Sequence, residues 1–274
     1  MARFVAHLDA SDITVVTVAA AVEWAAATPN GGSGADRLTA IRGFARYLQA
    51  LDPAHEVPPT GLLPVRTARP VPHLYSDADI TVLMNAARVL DPPSWGATVE
   101  TIIGLLWATG MRIGEVLRLN TVDVDPDTGV LTVWLSKFGK SRLVPLAATT
   151  VTALNRYRDR LPATADQAMF VTPAGRRVDY TRFNAAFVNL LDSAGITTAD
   201  GRRPRAHDLR HSFAVRTLLG WYRDGADVQT LLPRLSTYLG HVEPSSTYWY
   251  LSAAPELMAL AAERLDHHTA GEDQ

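Results

Sequence analysis

A proline-rich stretch from residue 58 to residue 72 constrains the fold of this chain more than any other sequence feature. Its prolines are Pro58, Pro59, Pro64, Pro70 and Pro72. Each one fixes a backbone angle and removes a hydrogen-bond donor, so prolines at this density keep a chain extended and semi-rigid. Because Arg66 and Arg69 lie in the same stretch, it predicts a basic linker between two domains. The predicted divisions are a small domain at 1–66, a linker at 67–73, a large domain at 74–268 and a tail at 269–274.

The part before the linker has apolar residues at helical spacing. One stripe comprises Val15, Val18, Val22 and Ala25, and a second comprises Leu38, Ile41, Phe44, Ala45 and Leu48. Residues that recur every three or four positions line one face of a helix. The small domain is therefore predicted to be helical, with helices ending near Pro29 and before Asp52. Because the chain begins close to the first stripe, we expect a further helix upstream and a first domain that is incomplete at its N-terminus.

The part after the linker combines helices with one β-hairpin. Ser76 and Asp79 have the spacing of a capping box, which predicts a helix running to about Val89. Near residue 130 the apolar period becomes alternating, as in paired strands. The residues that suggest the hairpin are Leu131, Val133 and Leu135 on one strand and Leu143, Val144 and Leu146 on the other. With a further short strand expected at 169–172, the predicted fold class is mainly α with a small β-hairpin or sheet.

The distribution of charge along the chain indicates more about its binding partner than the net charge does. The 274 residues carry a formal net charge of −2, whereas domains that bind nucleic acid tend to be basic. However, six arginines lie between residues 201 and 223, where Asp208 is the one acidic residue. A local basic face can hold a phosphate backbone on a near-neutral protein, so DNA remains a candidate partner.

Two absences from the sequence narrow the class of protein. There is no cysteine, which excludes a disulfide framework and any thiolate metal site. The first residues lack the apolar run of a signal peptide, and the apolar stretches at 15–27 and 101–111 are interrupted or too short to span a bilayer. The sequence therefore predicts a soluble, cytoplasmic protein with no membrane segment.

Four short segments carry residues that suit phosphoryl chemistry. They are Thr109–Glu115, Ser136–Lys140, His207–His211, and Leu239–His241 followed nine residues later by Tyr250. Together, and in this order, they resemble the tyrosine recombinase (phage integrase) family over most of the large domain. The resemblance implies a helical core-binding domain plus a mixed α/β catalytic domain. It also implies an enzyme that cleaves and rejoins DNA strands without a metal or another cofactor.

The resemblance assigns phosphate binding to Arg112, Arg210 and His241. Attack on a phosphodiester builds negative charge on the non-bridging oxygens, and fixed positive groups stabilise that charge. Arginine suits this role because its planar fork bonds two oxygens and keeps its charge. His241 would donate a further hydrogen bond to the phosphate. Glu115 is expected to be structural and to hold the turn that carries Arg112.

The resemblance also assigns the covalent step and the proton transfers. Tyr250 is the expected nucleophile, which forms a 3′-phosphotyrosine, and His207 would take its proton. Lys137, in the predicted hairpin, would protonate the leaving 5′-oxygen. Tyr248 and Lys140 are the nearest competitors for the roles of Tyr250 and Lys137.

Two patterns suggest a metal site, and each lacks a required residue. His207 and His211 have the spacing of a zinc-binding helix, as in a metallohydrolase, but Asp208 stands where glutamate is needed. The aspartates within 123–127 suggest a calcium loop, but threonine and tryptophan occupy its glycine and glutamate positions. We expect these aspartates to form a turn before the hairpin.

The main alternative is a truncated relative that occupies recombination sites without cleaving them. The intact set of catalytic residues argues against it. The expected partner is double-stranded DNA, on which the chain would self-associate as a tetramer. Integration, excision and resolution of mobile DNA are all compatible with the sequence. An apolar stripe within 255–265 would dock either on a neighbouring protomer or on its own domain.

Overall fold

The computed structural model of the chain describes residues 1–27, 34–64, 71–134, 141–161 and 167–240. Residue contacts divide the chain into two compact units, Met1–Pro70 and Val71–Gln274. Helices dominate both, and a small antiparallel sheet lies in the second. The predicted fold class is therefore confirmed. No helix in the described ranges is long and apolar enough to cross a membrane.

The first unit contains three described helices: α1 (Ala2–Ala10), α2 (Val18–Ala26) and α3 (Gly34–Leu51). The stripe predicted on α3 is confirmed, because it packs into the core of the unit and the helix ends before Asp52. Residues from all three helices form that core: Phe4, Leu8, Ala20, Ala21, Ala25, Leu38, Ile41 and Ala45.

The start of this unit departs from the sequence prediction. The apolar stripes do not indicate α1, although its Phe4 and Leu8 are buried. In α2, Val18 and Val22 are half-buried, and the helix instead buries Ala20, Ala21 and Ala25. Alanine occupies so many positions of α2 that apolar residues lie on every side, and spacing alone does not identify the buried face.

Two arginines of α3 bind groups within the first unit. The guanidinium of Arg37 lies 3.5 Å from the centre of the Trp24 ring. Arg42 donates hydrogen bonds to the carbonyl oxygens of Pro58 at 2.8 Å and Pro59 at 3.1 Å. Arg42 thereby ties α3 to the beginning of the proline-rich stretch.

The second unit is built around one central helix, which is buried along most of its length. Its helices are α4 (Asp77–Arg88), α5 (Pro93–Thr109), α6 (Ile113–Arg118), α7 (Ala148–Arg158), α8 (Tyr180–Ala194), α9 (Asp208–Arg223) and α10 (Val228–Leu239). Helix α5 packs against α4, α6, α7, α8 and α9, because buried apolar residues occur in every one of its turns. The capping box is present as predicted: Ser76 and Asp79 bond each other reciprocally at the start of α4.

The described residues of this unit form a sheet of three antiparallel strands, β1 (Val124–Asp125), β2 (Val130–Val133) and β3 (Arg142–Pro145). Strands β2 and β3 confirm the predicted hairpin pairing. Leu131 lies opposite Val144, and Val133 lies opposite Arg142. These valines and Leu131 are buried, so Arg142 stands on the same inward row.

The strand expected at 169–172 does not join this sheet, so that expectation is wrong. The segment makes one isolated bridge, Val171 with Arg177, and the residue before it makes another, Ala168 with Asn120. Its apolar residues are fully buried, and a buried apolar run resembles a strand in sequence even where it is not one.

Candidate active site

A sharp turn at Gly110 ends helix α5 and positions Arg112, which follows two residues later. Gly110 ends α5 in the left-handed conformation, with φ of 60°, which favours glycine. A Cβ at this position would lie 2.5 Å from the ring of Phe213. The Thr-Gly turn before Arg112 therefore requires glycine both for its backbone angle and for its close approach to α9.

Arg112 is fixed by Glu115 and by the end of α10. Its backbone N–H donates to Oε2 of Glu115 at 3.0 Å, and its Nη1 donates to Oε1 at 2.9 Å. Its Nη2 donates to the carbonyl oxygen of Gly240 at 2.9 Å. The prediction that Glu115 holds this turn is confirmed.

Arg142 completes the surroundings of Glu115, and the motifs of the sequence do not indicate it. Its Nη1 and Nη2 donate to Oε1 and Oε2 of Glu115 at 3.0 and 2.7 Å. Its Nε donates to the carbonyl oxygen of Tyr238 at 2.9 Å. One sequence signal was present: in an alternating strand Arg142 shares its face with buried Val144, so a charged residue there needs a partner.

Two arginines keep Glu115 ionised. Burial alone would raise the pKa of its carboxyl, but the hydrogen bonds and charge of Arg142, followed by the bonds from Arg112, lower the pKa to about 2. The Glu115 side chain is only 1% exposed. It is therefore a buried carboxylate that remains charged because two guanidinium groups surround it.

Arg210 is among the most deeply buried residues of the second unit, with 2% of its surface exposed. It lies in the first turn of α9. Its Nη1 donates to the carbonyl oxygen of Gly110 at 2.9 Å, and its Nη2 donates to that of Leu239 at 2.7 Å. Carbonyl acceptors orient the guanidinium without neutralising its charge.

The last carbonyl groups of α10 thus bring the arginines together. Arg142, Arg210 and Arg112 donate to three consecutive carbonyls, those of Tyr238, Leu239 and Gly240. These groups lack partners within a helix and form the negative end of its dipole. Two arginines that the sequence predicts, Arg112 and Arg210, therefore meet at the residues immediately before His241.

His207 precedes α9 and lies within the electrostatic influence of Arg210, Arg205 and Arg112. The protein around the imidazole removes much of its water. This desolvation, followed by the charges of Arg210 and Arg205, lowers the pKa of His207 to about 4, although the residue retains an exposed surface. At neutral pH the ring is therefore uncharged and can accept a proton.

His211 and Asp208 support this position from within α9. The rings of His207 and His211 meet edge to face, with centres 4.9 Å apart. Burial and the neighbouring His207 lower the pKa of His211 to about 3. Asp208 is buried and accepts bonds from the backbone and the guanidinium of Arg205 at 2.8 and 2.9 Å. These contacts fix the chain on both sides of His207.

The aspartates at 123–127 form the expected turn. Asp125 accepts hydrogen bonds from the backbone N–H groups of Asp127 and Thr128, at 2.9 and 3.2 Å. Asp123 accepts one from the indole of Trp134 at 2.9 Å. Within the described ranges, no group of three or more histidine, aspartate or glutamate side chains is placed to hold a metal ion.

Several predicted residues lie outside the described part of the chain. They are Lys137 with its competitor Lys140, His241, Tyr250 with its competitor Tyr248, and the apolar stripe within 255–265. Of the six predicted catalytic residues, the described part of the chain contains Arg112, His207 and Arg210, and it brings these three together.

Known proteins are similar to this chain in both sequence and fold. The model of the phage integrase family matches residues 76–256, which include all six predicted catalytic residues. The chain belongs to the phage integrase family of tyrosine recombinases. The predicted resemblance is thereby confirmed.

Relatives of this tyrosine recombinase match it along most of its length. It is 42% identical over 280 residues to y4rB of Sinorhizobium fredii, named as an integrase/recombinase, with 96% of this chain and 88% of that protein covered. It is 36% identical over 239 residues to the tyrosine recombinase XerD of Ralstonia nicotianae, with 83% of this chain and 71% of XerD covered.

Solved structures agree with this assignment. The crystal structure of XerA recombinase has a TM-score of 0.55 and 26% identity, covering 85% of this chain and 74% of XerA. XerH site-specific recombinase, bound to its difH substrate, has a TM-score of 0.63 at 18% identity, covering 92% and 73%. The XerH likeness shows that the tyrosine recombinase fold is shared.

Proposed function

We propose that this chain is a site-specific DNA recombinase that cleaves and rejoins DNA strands through a 3′-phosphotyrosine intermediate. The observation that carries the proposal is the meeting of Arg112 and Arg210 on consecutive carbonyls, Gly240 and Leu239, directly before His241. Two permanently charged forks held in a fixed arrangement suit the charge that develops on an attacked phosphodiester. Mobile DNA whose integration, excision or resolution needs such cleavage is the expected substrate.

Residues of this chain supply the nucleophile, the proton acceptor and the proton donor that strand cleavage requires. The Tyr250 oxygen attacks phosphorus as its proton passes to His207, and the bond from phosphorus to the 5′-oxygen breaks. Lys137 protonates the departing 5′-oxygen. His207 is uncharged at neutral pH, since its pKa is lowered to about 4, and an uncharged imidazole has a nitrogen lone pair that can accept the tyrosine proton. Reversal of these steps rejoins the strand, and the phosphotyrosine conserves the energy of the broken bond.

Double-stranded DNA is the proposed partner. Relatives support this, since the XerH structure holds its difH substrate and a Tn1549 transposon integrase holds transposon end DNA. The helical domain at 1–66 and the catalytic domain at 74–268 would both contact the duplex. Exchange between two duplexes breaks four strands, so one Tyr250 for each strand supports a tetramer on DNA. We place this reaction in the cytoplasm.

A covalent-trapping experiment tests the proposal. The protein is incubated with a pool of nicked duplexes of randomised sequence, in which cleavage releases a short fragment and prevents rejoining. We expect a denaturant-resistant protein–DNA adduct that peptide mapping places on Tyr250. Tyr250→Phe should abolish the adduct, and Tyr248→Phe should retain it.

Two outcomes would contradict the proposal. Specific binding without any adduct would favour a relative that occupies sites without cleaving them. An adduct that survives Tyr250→Phe, or one mapped to Tyr248, would assign the nucleophile elsewhere. The DNA recovered from the adduct also reports the preferred sequence.

A further inference from the structure

Arg142 links three separate segments of the second unit at one point. It is the first residue of β3, its side chain is 11% exposed, and it forms a two-pronged contact with both oxygens of Glu115. Its Nε holds the carbonyl oxygen of Tyr238 in the last turn of α10. The guanidinium therefore joins the sheet to the turn of Arg112 and to the helix that leads to His241.

The contact with Glu115 also determines how Arg112 is held. Oxygen Oε1 of Glu115 accepts from both Arg112 at 2.9 Å and Arg142 at 3.0 Å. A carboxylate bound on one side by a planar fork has little freedom to rotate. Since Arg112 bonds the same two oxygens, through its backbone N–H and its Nη1, the orientation of Arg112 depends on Arg142.

The backbone of α10 is shaped to receive Arg142. Gly240 ends the helix with φ of 69°, and a Cβ there would lie 3.2 Å from Nη1 of Arg142 and 3.3 Å from Cζ. A side chain at this position would therefore press against the guanidinium. The glycine allows Arg142 to lie flat against the end of α10.

We propose that Arg142 is a positioning residue for strand cleavage, acting through Glu115 on Arg112 and through the Tyr238 carbonyl on the segment that leads to His241. This role rests on the proposed recombinase activity. Arg142 orients Arg112 before DNA binds, and DNA affinity depends on Arg142 only weakly. A misplacement of about 1 Å at a reacting centre can lower a rate roughly 100-fold, so loss of Arg142 should slow the chemical step by about that factor.

The test uses Arg142→Lys and a matched control, Arg177→Met. Lysine keeps the charge, but its single ammonium cannot span the Glu115 carboxylate and the Tyr238 carbonyl together. Arg177 is a similarly engaged arginine: it donates to the carbonyls of Leu117 and Leu119 at 3.1 and 2.9 Å and to Asn120 at 2.6 Å. It has none of the contacts that Arg142 makes with Glu115 and α10.

Two quantities are measured on each variant: the rate of adduct formation at saturating DNA, and the DNA concentration at half-saturation. For Arg142→Lys we expect a rate about 100-fold lower with half-saturation little changed. Arg177→Met should lose thermal stability and keep its rate within about twofold, the usual error of additivity. A folded Arg142→Lys variant that cleaves as fast as the wild type would overturn the proposal.

A double-mutant cycle with Glu115→Gln separates positioning from direct contact with DNA. If Arg142 acts through Glu115, adding Arg142→Lys to Glu115→Gln should slow cleavage far less than about 100-fold. Full multiplication of the two effects would mean that Arg142 acts independently of Glu115, which would refute the positioning of Arg112 by Arg142. A wild-type chain that forms no adduct would instead refute the recombinase activity on which the proposal rests.

Discussion

Replacing Glu115 with glutamine removes the negative charge that lies between Arg112 and Arg142. The structure lowers the pKa of this carboxyl from 4.5 to about 2. Each unit of pKa difference between the folded and unfolded states corresponds to about 1.4 kcal/mol. The ionised form therefore stabilises the folded state by roughly 3 kcal/mol. We expect Glu115→Gln to lower the free energy of unfolding by about that amount at neutral pH, which also agrees with the usual cost of breaking a buried ion pair.

The pH dependence of this difference identifies its cause. Because the pKa is lower in the folded state, the contribution is complete above pH 4.5, declines as the pH falls, and is lost below about pH 2, where the folded carboxyl protonates too. At about pH 3.5 most unfolded chains have protonated Glu115 while folded chains have not. The difference between wild type and variant should then be about 1.4 kcal/mol smaller than at neutral pH.

Urea unfolding followed by circular dichroism at several pH values measures this difference. Glu100→Gln is the matched control, because Glu100 pairs at 2.7 Å with Arg88, whose side chain is 59% exposed. An exposed pair of this kind contributes at most about 1 kcal/mol. A Glu115→Gln loss that is equally small, or that does not change with pH, would refute the account of the buried carboxylate.

Two further predictions concern the hairpin and the turn at Gly110. Lys137→Ala should slow cleavage of ordinary DNA by about 100-fold or more. Its cleavage rate should be largely restored on a 5′-bridging phosphorothiolate, because the sulfur leaves without a proton. Equal impairment on both substrates would assign proton donation to another residue, and Lys140 would be tested first. Gly110→Ala should lower the free energy of unfolding by roughly 2–4 kcal/mol, from its left-handed backbone and its clash with Phe213. Gly175→Ala is the control, because Gly175 has φ of 75° and nothing lies within 4 Å of a Cβ there. Its free energy of unfolding should fall only by the contribution of the left-handed backbone. If thermal or urea unfolding shows equal decreases for the two variants, the steric argument is contradicted.

Local sequence patterns predict those parts of the fold that local interactions determine. The capping box at Ser76 depends on residues three apart, and the hairpin of β2 and β3 follows from alternation within each strand. Arg112 and Arg210 stand out because the family places arginines in recognisable short segments. All of these signals lie within a few neighbouring residues.

The contacts that fix the arginines are not local, and no periodicity reports them. Arg142 and Glu115 are 27 residues apart, and Arg112 and the Gly240 carbonyl are 128 apart. A backbone carbonyl leaves no mark in the sequence as an acceptor, since every residue has one. The sequence therefore identifies Arg112 and Arg210 and not the helix end that orients them.

The choice of arginine at position 112 follows from the number of its donors. A guanidinium has five N–H groups in one plane, and the contacts with Glu115 and the Gly240 carbonyl engage one N–H on each of its terminal nitrogens. The others can bind a phosphate without loss of either contact. A lysine ammonium is a single point of charge and would have to exchange its protein partners for the phosphate. Arg112 can therefore be held in place before DNA arrives, which is the arrangement that stabilises developing charge without reorganisation during the reaction.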